Sequence, residues 1–255
     1  MSIYYQDDHV TLYHGDCLEI MPRLAARSVD MVLADLPYGT TRNKWDSIIG
    51  LEAMWDNYRR VTKENAAVVL TAQTPFDKVL GASNLEDLRY EWIWEKTTAT
   101  GHLNANRAPM KAHENILVFY KSLPTYIPQM TSGHAPTHLY TKHQDDGSNY
   151  GATKIGISGG GSTERYPRSV LEFATDKQKE ALHPTQKPLA LMAYLIRTYT
   201  NAGDTVLDNC AGSGSTLIAA RRQGRRAVGI ELDEAYCEVI ATRLSQEGFE
   251  MEWTA

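Results

Sequence analysis

The sequence feature that most constrains the fold is the segment VLDNCAGSGSTLIAARRQGRRAVGIELDE, which begins at Val206. A short apolar strand runs into a glycine-rich turn, a helix follows, and a second apolar strand ends at Glu231. This order of strand, turn, helix and strand is a βαβ unit, in which a helix connects two parallel strands. The chain is therefore predicted to build a parallel sheet.

The rest of the chain alternates in the same way, which indicates an α/β fold with a mostly parallel sheet and helices on both faces. Apolar or alternating runs predict strands at residues 10–14, 29–34, 66–72, 90–96, 114–121, 204–210 and 226–232. Amphipathic runs, caps and breakers predict helices at residues 18–26, 50–62, 74–83, 188–199, 215–224 and 233–246.

The periodicity is lost between residues 122 and 168, where Gly, Pro, Ser, Thr and His dominate. Residues 147–161 alone contain six glycines. A loop of this length in a compact chain is usually functional or partly disordered. We therefore predict two halves of one domain, residues 1–121 and 169–255, separated by an inserted loop-rich region at 122–168.

Composition excludes several classes of protein. With 42% hydrophobic and 22% charged residues, the chain is an ordinary soluble globular protein. No apolar run approaches the roughly 20 residues of a membrane helix, and MSIYYQDDHV lacks the features of a signal peptide. Cys17, Cys210 and Cys237 are far apart and indicate reduced cytoplasmic thiols, with neither a disulfide framework nor a metal site. We expect a cytoplasmic protein that does not associate with a membrane.

The net charge of −5 is distributed unevenly. Residues 96–168 contain eight Lys or Arg and four acidic residues, a balance of +4 that leaves −9 for the remainder. Five of the eight histidines also lie there. A basic insert on an acidic body suits a protein that contacts phosphates with one face. The alternative is a merely solvated loop region.

The glycine-rich turn of the βαβ unit is a candidate cofactor site. Gly212 and Gly214 lack a Cβ and let the backbone approach a ligand, and a helix N-terminus near Ser215 attracts a carboxylate or phosphate. Leu217 occupies the third glycine position of a dinucleotide fingerprint, which disfavours a dinucleotide. S-adenosylmethionine, which has a ribose and a carboxylate but no pyrophosphate, suits the turn better. Alternatively, the glycines only tighten the turn.

Acidic residues that follow predicted strands are candidate ligands of that cofactor. Glu231 follows Gly212 by 19 residues and is placed to accept hydrogen bonds from ribose hydroxyls. Asp208 can pair with the methionine amino group. Asp16 either receives the adenine amino group or caps the helix that follows it.

A predicted buried strand at residues 29–34 leads directly into the sequence DLPYG at residues 35–39. In an open α/β sheet the ligand crevice lies beyond the carboxyl ends of the strands, so Asp35 and Tyr38 are placed where chemistry takes place. The alternative is that Pro37 and Gly39 only mark a turn.

Three motifs of the chain occur in a specific order: DLPY at 35–38, HPTQKP at 183–188 and AGSG at 211–214. This order resembles that of the β-class DNA amino-methyltransferases, in which a D-P-P-Y-type motif precedes the recognition region, the H-x-x-Q-K-P element and the glycine motif. Residues 94–121 and the sequence RYPRSVLEF at 165–173 also resemble the family.

Two positions depart from the family pattern. Leu36 replaces the first proline, and Asn209-Cys210 replaces a common Pro-Phe pair, which removes an aromatic wall beside the cofactor. Pro37 biases Leu36 towards an extended conformation that would aim its carbonyl group.

The resemblance implies a Rossmann-like, S-adenosylmethionine-dependent methyltransferase fold with circularly ordered motifs. It implies methyl transfer to an exocyclic amino group of a base in double-stranded DNA, with the insert as the target-recognition region. It leaves open a homodimer and a cognate restriction endonuclease. It assigns catalysis to Asp35, Leu36, Pro37 and Tyr38. It assigns the cofactor to Asp16, Asp35, Thr185, Lys187, Asp208, Ala211, Gly212, Gly214 and Glu231.

The implied chemistry needs two acceptors, because the lone pair of a base amino nitrogen is delocalised into the ring. The Asp35 carboxylate and the Leu36 carbonyl would accept its two N–H bonds, and positioning supplies much of the acceleration. The base must be flipped out of the duplex, and Tyr38 would stack on it. Candidate DNA contacts are Lys96, Asn104, Asn106, Arg107, Lys111, His113, Lys142, Arg165 and Arg168.

The acidic first residue of DLPY favours adenine N6 as the methyl acceptor, because an aspartate is a stronger acceptor than the serine frequent in enzymes resembling N4-cytosine methyltransferases. N4-cytosine methylation is the main alternative. More distant alternatives are methylation of RNA or of a protein glutamine, and a catalytically silent DNA- or nucleotide-binding module.

Overall fold

The computed structural model describes residues 2–39, 49–142, 155–175 and 186–252. The chain divides into two compact units, one of Met1–Ile127 with Ser169–Ala255 and the other of Pro128–Arg168. The second unit starts at Pro128, six residues after the predicted boundary at residue 122. The reason is that the N–H of Ile127 donates to the Thr198 carbonyl at 2.8 Å, and Tyr126 packs against Tyr199 with ring centroids 6.1 Å apart.

The larger unit contains a nine-stranded sheet, as far as the chain is described. Its strands are β1 (Ser2–Gln6), β2 (Val10–His14), β3 (Val29–Asp35), β4 (Thr62–Ala72), β5 (Leu88–Thr100), β6 (Lys111–Phe119), β9 (Val170–Phe173), β10 (Thr205–Asp208) and β11 (Arg226–Glu231). They lie in the order β1-β2-β11-β10-β3-β4-β6-β5-β9.

Most neighbouring strands of this sheet are parallel, which confirms the predicted fold class. The parallel pairs are β2–β11, β11–β10, β10–β3, β3–β4 and β5–β9. The antiparallel pairs are β1–β2, β4–β6 and β6–β5. The two strands of the C-terminal βαβ unit, β10 and β11, are thus inserted between β2 and β3 of the N-terminal part.

Helices cover both faces of the sheet. They are α1 (Cys17–Ile20), α2 (Leu51–Val61), α3 (Phe76–Ala82), α4 (Leu189–Tyr199), α5 (Ser215–Arg222) and α6 (Glu234–Glu252). Successive strand residues point to opposite faces, and the core accordingly falls into two clusters. Met31 and Leu33 belong to the cluster that includes α4, α5 and α6, whereas Val32 and Ala34 belong to the one that includes α1, α2 and α3.

Several predicted boundaries differ from the observed ones. The helix predicted at residues 18–26 consists of the short α1 and a 3₁₀ turn, Met21–Arg23. Pro22 explains the break, because it has no N–H to continue the α-helical hydrogen bonds. Strands β1 and β9 were not predicted, and α6 extends beyond the predicted residue 246 to Glu252.

Residues 128–142 and 155–168, the described part of the smaller unit, have little regular structure, as their composition predicts. A short antiparallel ladder joins β7 (Tyr140–Thr141) to β8 (Ser158–Gly159), and an isolated bridge joins Thr131 to Arg165. Nowhere in the described ranges is a helix long and apolar enough to cross a membrane.

Candidate active site

The carboxyl edge of the sheet brings together the acidic residues that the sequence singled out. Asp16 follows β2, Glu231 ends β11, Asp208 ends β10 and Asp35 ends β3, and these four strands are consecutive in the sheet. A narrow cleft with a cavity volume of about 40 Å³ opens at this edge. Its lining includes Asp35, Lys187, Asp208, Cys210, Gly212 and Ser215.

Asp35 is held by three neighbouring side chains. The Tyr38 hydroxyl donates to Asp35 Oδ1 at 2.6 Å, and the Thr71 hydroxyl donates to the same oxygen. Lys187 Nζ lies 2.6 Å from Oδ2. Thr71 reaches Asp35 because the two residues are partners in the parallel register of β3 and β4. The carboxylate is therefore fixed before any substrate arrives.

Lys187 is buried between two carboxylates. Its Nζ lies 3.1 Å from Glu114 Oε2 as well as 2.6 Å from Asp35, and Glu114 in turn pairs with Lys96 at 2.5 Å. Burial alone would lower the pKa of the Lys187 ammonium, but the charges of Asp35 and Glu114 outweigh it and raise that pKa well above its usual value. Lys187 is therefore a cation at the base of the site.

Tyr38 and Leu36 occupy different environments. The Tyr38 ring stacks on Phe76 with centroids 5.6 Å apart and an interplanar angle of 30°. Burial and the charge of Asp35 raise the pKa of Tyr38 well above 10.0, so its hydroxyl stays protonated and remains a donor to Asp35. The Leu36 side chain is buried in the core cluster of α1, α2 and α3.

The glycine turn has a packing role that the sequence does not predict. Gly212 has a φ of 52°, and its N–H donates to Glu231 Oε2 at 2.7 Å. A Cβ on Gly214 would lie 3.0 Å from Ile240 Cγ1 of α6, and Gly214 also has a φ of 81°. The missing side chain of Gly214 therefore allows α6 to pack closely, and the Gly214 N–H donates to the Ala211 carbonyl at 2.7 Å. The predicted role of Gly214 in cofactor binding stays a prediction.

Asp208 and Glu231 are both buried carboxyl groups. Burial, reinforced by the charges of Asp35 and Glu231, raises the pKa of Asp208 to about 7. Burial also raises the pKa of Glu231, against the effect of backbone N–H groups that include those of Asp233 and Gly212. Each carboxyl would gain from a cationic or hydrogen-bonding ligand, because burial penalises its charged form.

The departure at Asn209-Cys210 forms a buried polar cluster. Asn209 Oδ1 accepts the Tyr58 hydroxyl at 2.6 Å, and Asn209 Nδ2 lies 3.6 Å from Cys17 Sγ and 3.5 Å from Cys210 Sγ. Cys17, Cys210 and Cys237 are free thiols. Asn209 thereby ties the glycine turn to α1 and α2, where the family pattern has apolar residues.

Two predicted cofactor residues need separate comment. Asp16 is exposed and caps α1, because its Oδ1 accepts the Leu18 N–H at 2.8 Å. The other role predicted for Asp16, acceptance of a hydrogen bond from the adenine amino group, stays a prediction. Thr185 lies outside the described residues.

Two of the predicted DNA contacts are engaged within the protein. The Lys96 side chain is 9% exposed and pairs with Glu114, so the structure places it in the interior instead of on a DNA-binding face. The Arg165 guanidinium binds the carbonyl groups of Ser162 and Glu164 at 2.9 Å each and that of Ala135, which holds the loops of the smaller unit.

The other predicted DNA contacts lie nearer to the surface. The connection between β5 and β6 is exposed over residues 101–110, including Asn104, Asn106 and Arg107. Lys111 and His113 at the start of β6 are also exposed. In the smaller unit Arg168 is exposed and Lys142 is half-buried.

Sequence reasoning missed two residues of the site, Thr71 and Glu114. Thr71 could have been found, because it stands at the carboxyl end of a predicted strand, where ligand crevices form. Glu114 had no such signal: it lies within an apolar β6 run, and only the fold shows that Lys96 and Lys187 meet there.

Two buried polar atoms in the cleft suit an amino-acid ligand. Ser215 Oγ and Gln186 Nε2 are buried, line the cleft and have no hydrogen-bond partner among the residues that the structure describes. Both can donate to a carboxylate, and Asp208 beside them can accept from an ammonium group. The donor set therefore fits the methionine end of S-adenosylmethionine. No group of three or more His, Cys, Asp or Glu side chains forms a metal site in the described part of the chain.

A mostly parallel sheet with this glycine turn and these strand-end acids is the Rossmann-like fold of S-adenosylmethionine-dependent methyltransferases. The chain belongs to the N6_N4_Mtase family of DNA methylases, which matches residues 29–243. This confirms the resemblance to β-class DNA amino-methyltransferases.

Individual relatives agree with this family. The DNA adenine methyltransferase YhdJ of Escherichia coli strain K12 is 27% identical over 92% of this chain and 82% of its own length. The M1.HpyAVI–SAM complex has a TM-score of 0.62 at 23% identity, covering 92% of this chain and 98% of that one. The cytosine-N4-specific PvuII DNA methyltransferase has a TM-score of 0.67 at 15% identity, covering 94% of this chain and 88% of that one. These two structures share the fold.

Proposed function

We propose that the protein transfers a methyl group from S-adenosylmethionine to the N6 amino group of adenine in double-stranded DNA. The observation that carries the proposal is Asp35, held at the mouth of the cleft by Tyr38, Thr71 and Lys187 and facing the strand end that carries Asp208. The acceptor for the target base and the candidate cofactor residues thus share one cleft.

The cofactor would be held by residues around the glycine turn. Asp208 would accept from its ammonium group, Ser215 Oγ and Gln186 Nε2 would donate to its carboxylate, and Glu231 would accept from the ribose hydroxyls. When bound, the cofactor supplies an electrophilic methyl group on a sulfonium. The neighbouring Asn209-Cys210 peptide replaces an aromatic wall with a polar one.

Asp35 would act as the acceptor that activates the target amino group. Its Oδ1 already accepts from Tyr38 and Thr71, whereas Lys187 is the one partner of Oδ2 in the described residues. Oδ2 can therefore accept one further N–H, and the Leu36 carbonyl would accept the second. A preorganised acceptor of this kind stabilises the positive charge that develops on the nitrogen during transfer.

Adenine is favoured over cytosine by Asp35 and by the relative YhdJ, whose name specifies adenine. The fold itself is neutral on this point, because the cytosine-N4-specific PvuII enzyme has it too. Tyr38 would stack on the flipped base, which requires that its ring face away from Phe76 remain accessible.

The test is mass spectrometry of nucleosides from plasmid DNA that carries no methylated amino groups, after incubation with the protein and S-adenosylmethionine. N6-methyladenine is expected, and Asp35→Asn should reduce its formation by about 100-fold while cofactor affinity changes little, because the lost charge acts mainly in the transition state. N4-methylcytosine alone would contradict the base assignment. Absence of both products would contradict the proposed function.

A further inference from the structure

A continuous chain of four charged side chains runs from the interior to the catalytic carboxylate. Lys96 pairs with Glu114 at 2.5 Å, Glu114 with Lys187 at 3.1 Å, and Lys187 with Asp35 at 2.6 Å. Lys96, Glu114 and Lys187 each expose less than a tenth of the side chain, whereas Asp35 is 29% exposed. The chain therefore reaches the cleft at Lys187 and Asp35, which both line it.

Glu114 is the residue that fixes this arrangement. Its Oε1 accepts from Gln73 Nε2 at 2.8 Å and pairs with Lys96, while its Oε2 faces Lys187. It projects from the central β6 strand, which is paired on both sides by β4 and β5. A carboxylate held this firmly determines where the Lys187 ammonium lies.

The position of the ammonium matters for Asp35. Without Glu114, the buried Lys187 cation would have Asp35 as its one anionic partner and would draw both the carboxylate and its charge away from the substrate. With Glu114 behind it, Lys187 is shared between two carboxylates, and Asp35 keeps an acceptor site for an incoming N–H. Stability does not account for the chain, because a buried ion pair stabilises a fold little relative to apolar residues of similar volume.

We propose that Glu114 is a positioning residue for methyl transfer, which acts by holding the Lys187 ammonium so that Asp35 Oδ2 stays aimed at the target amino group. This inference rests on the proposed function, since it concerns the same acceptor. Glu114 is not among the residues that line the cleft, and it acts on Asp35 through Lys187.

The test compares Glu114→Gln, Lys187→Gln and the double variant in single-turnover methyl transfer from tritiated S-adenosylmethionine to unmethylated plasmid DNA. Glu114→Gln keeps the shape of the side chain and removes its charge. We expect a loss of about 10- to 100-fold in the single-turnover rate, with cofactor and DNA affinities within about threefold of the parent. Glu91→Gln, an exposed change on β5, is the matched control and should leave the rate unchanged.

The double variant distinguishes positioning from general structural support. If Glu114 acts through Lys187, Glu114→Gln should cost less than about threefold further in the Lys187→Gln background. Additive losses of rate in the double variant would overturn the inference. So would a Glu114→Gln variant in which cofactor affinity falls by the same factor as the rate and the melting temperature falls as well. Transfer by the parent protein tests the proposed function separately, because the comparison of variants is made only on a chain that methylates DNA.

Discussion

At the scale of single residues, Asp208 is the group whose protonation should control both stability and cofactor binding. Its pKa of about 7 in the fold compares with about 4 for an exposed aspartate. At pH values between these two pKa values, Asp208 is protonated in the folded chain and ionised in the unfolded chain. Stability therefore falls as pH rises through this window, and the cost of the buried charge is fully present above pH 7.

We predict that Asp208→Asn raises the melting temperature relative to the parent protein by an amount that grows from pH 5 to pH 8. Cofactor affinity should show the opposite dependence. It should rise from pH 6 to about pH 7.5 in the parent, because only ionised Asp208 pairs with an ammonium group, and should be weak and flat in Asp208→Asn.

Thermal melts and calorimetry across this pH range provide the measurements. The exposed Asp8→Asn controls for the loss of one negative charge. A difference in melting temperature between Asp208→Asn and parent that stayed constant with pH would show that Asp208 keeps its charge throughout.

The residues of the site were predictable to different degrees. Asp35, Asp208 and Glu231 could be predicted because each ends an apolar strand, and the carboxyl ends of strands converge at one edge of the sheet. The burial of Lys96 could not be predicted, because a lysine at the end of an alternating strand has the same local sequence pattern whether it faces solvent or Glu114. The packing of Gly214 could not be predicted for a similar reason: its neighbour Ile240 is distant in the sequence.

At the scale of elements, the turn before α5 should depend on Gly214 for its packing against α6. An alanine there must adopt a φ near 81°, which costs about 1–2 kcal/mol for a residue with a Cβ, and its Cβ would press on Ile240 at 3.0 Å. We predict that Gly214→Ala lowers the free energy of unfolding by more than this backbone cost and also weakens cofactor binding.

Gly203→Ala is the matched control for this change. Gly203 has a φ of 83°, and a Cβ there would meet nothing within 4 Å. Urea unfolding of both variants separates the cost of backbone strain from the cost of the Ile240 contact, because both variants have the strain and only Gly214→Ala has the contact. Equal losses in the two variants would contradict a packing role for Gly214.

The connection between β5 and β6 should be part of the DNA-binding face. Arg107 and Lys111 are exposed there. We predict that changing both to Gln reduces the slope of log K for DNA against log salt by about 2, since each phosphate contact contributes about 0.9. Cofactor affinity should not change.

Filter binding or fluorescence anisotropy over a range of salt concentrations measures this slope. Arg59→Gln with Arg226→Gln is the control pair, because both residues are exposed and Arg226 begins β11 at the opposite, amino edge of the sheet. A slope that fell equally in both pairs would indicate a general charge effect.

Most elements of the larger unit were predictable, because buried parallel strands are short apolar runs and their helices carry clear breakers. The omissions are edge strands. β1 and β9 lie at the two ends of the sheet, where only one neighbour selects for apolar residues, and most of their residues are exposed or half-buried. The sequence did not predict these two strands because their exposed residues lack the apolar pattern of a buried strand.

At the scale of the whole molecule, the order of strands separates the two parts of the site along the chain. Asp35 lies on β3, and its sheet neighbour β10 carries Asp208. The Thr205 N–H donates to Asp30 across 175 residues of sequence. The acceptor for the base and the residues for the cofactor thus become neighbours only when β10 pairs with β3.

The insertion of β10 and β11 between β2 and β3 has a consequence for how the protein is made. As the chain leaves the ribosome, β2 and β3 each present an unpaired row of backbone N–H and carbonyl groups, the kind of edge that recruits other chains. At about 5–20 residues per second, the 175 residues between Asp30 and Thr205 take roughly 10–35 s to synthesise. Throughout that interval these two edges are open to pairing with their counterparts on neighbouring nascent chains.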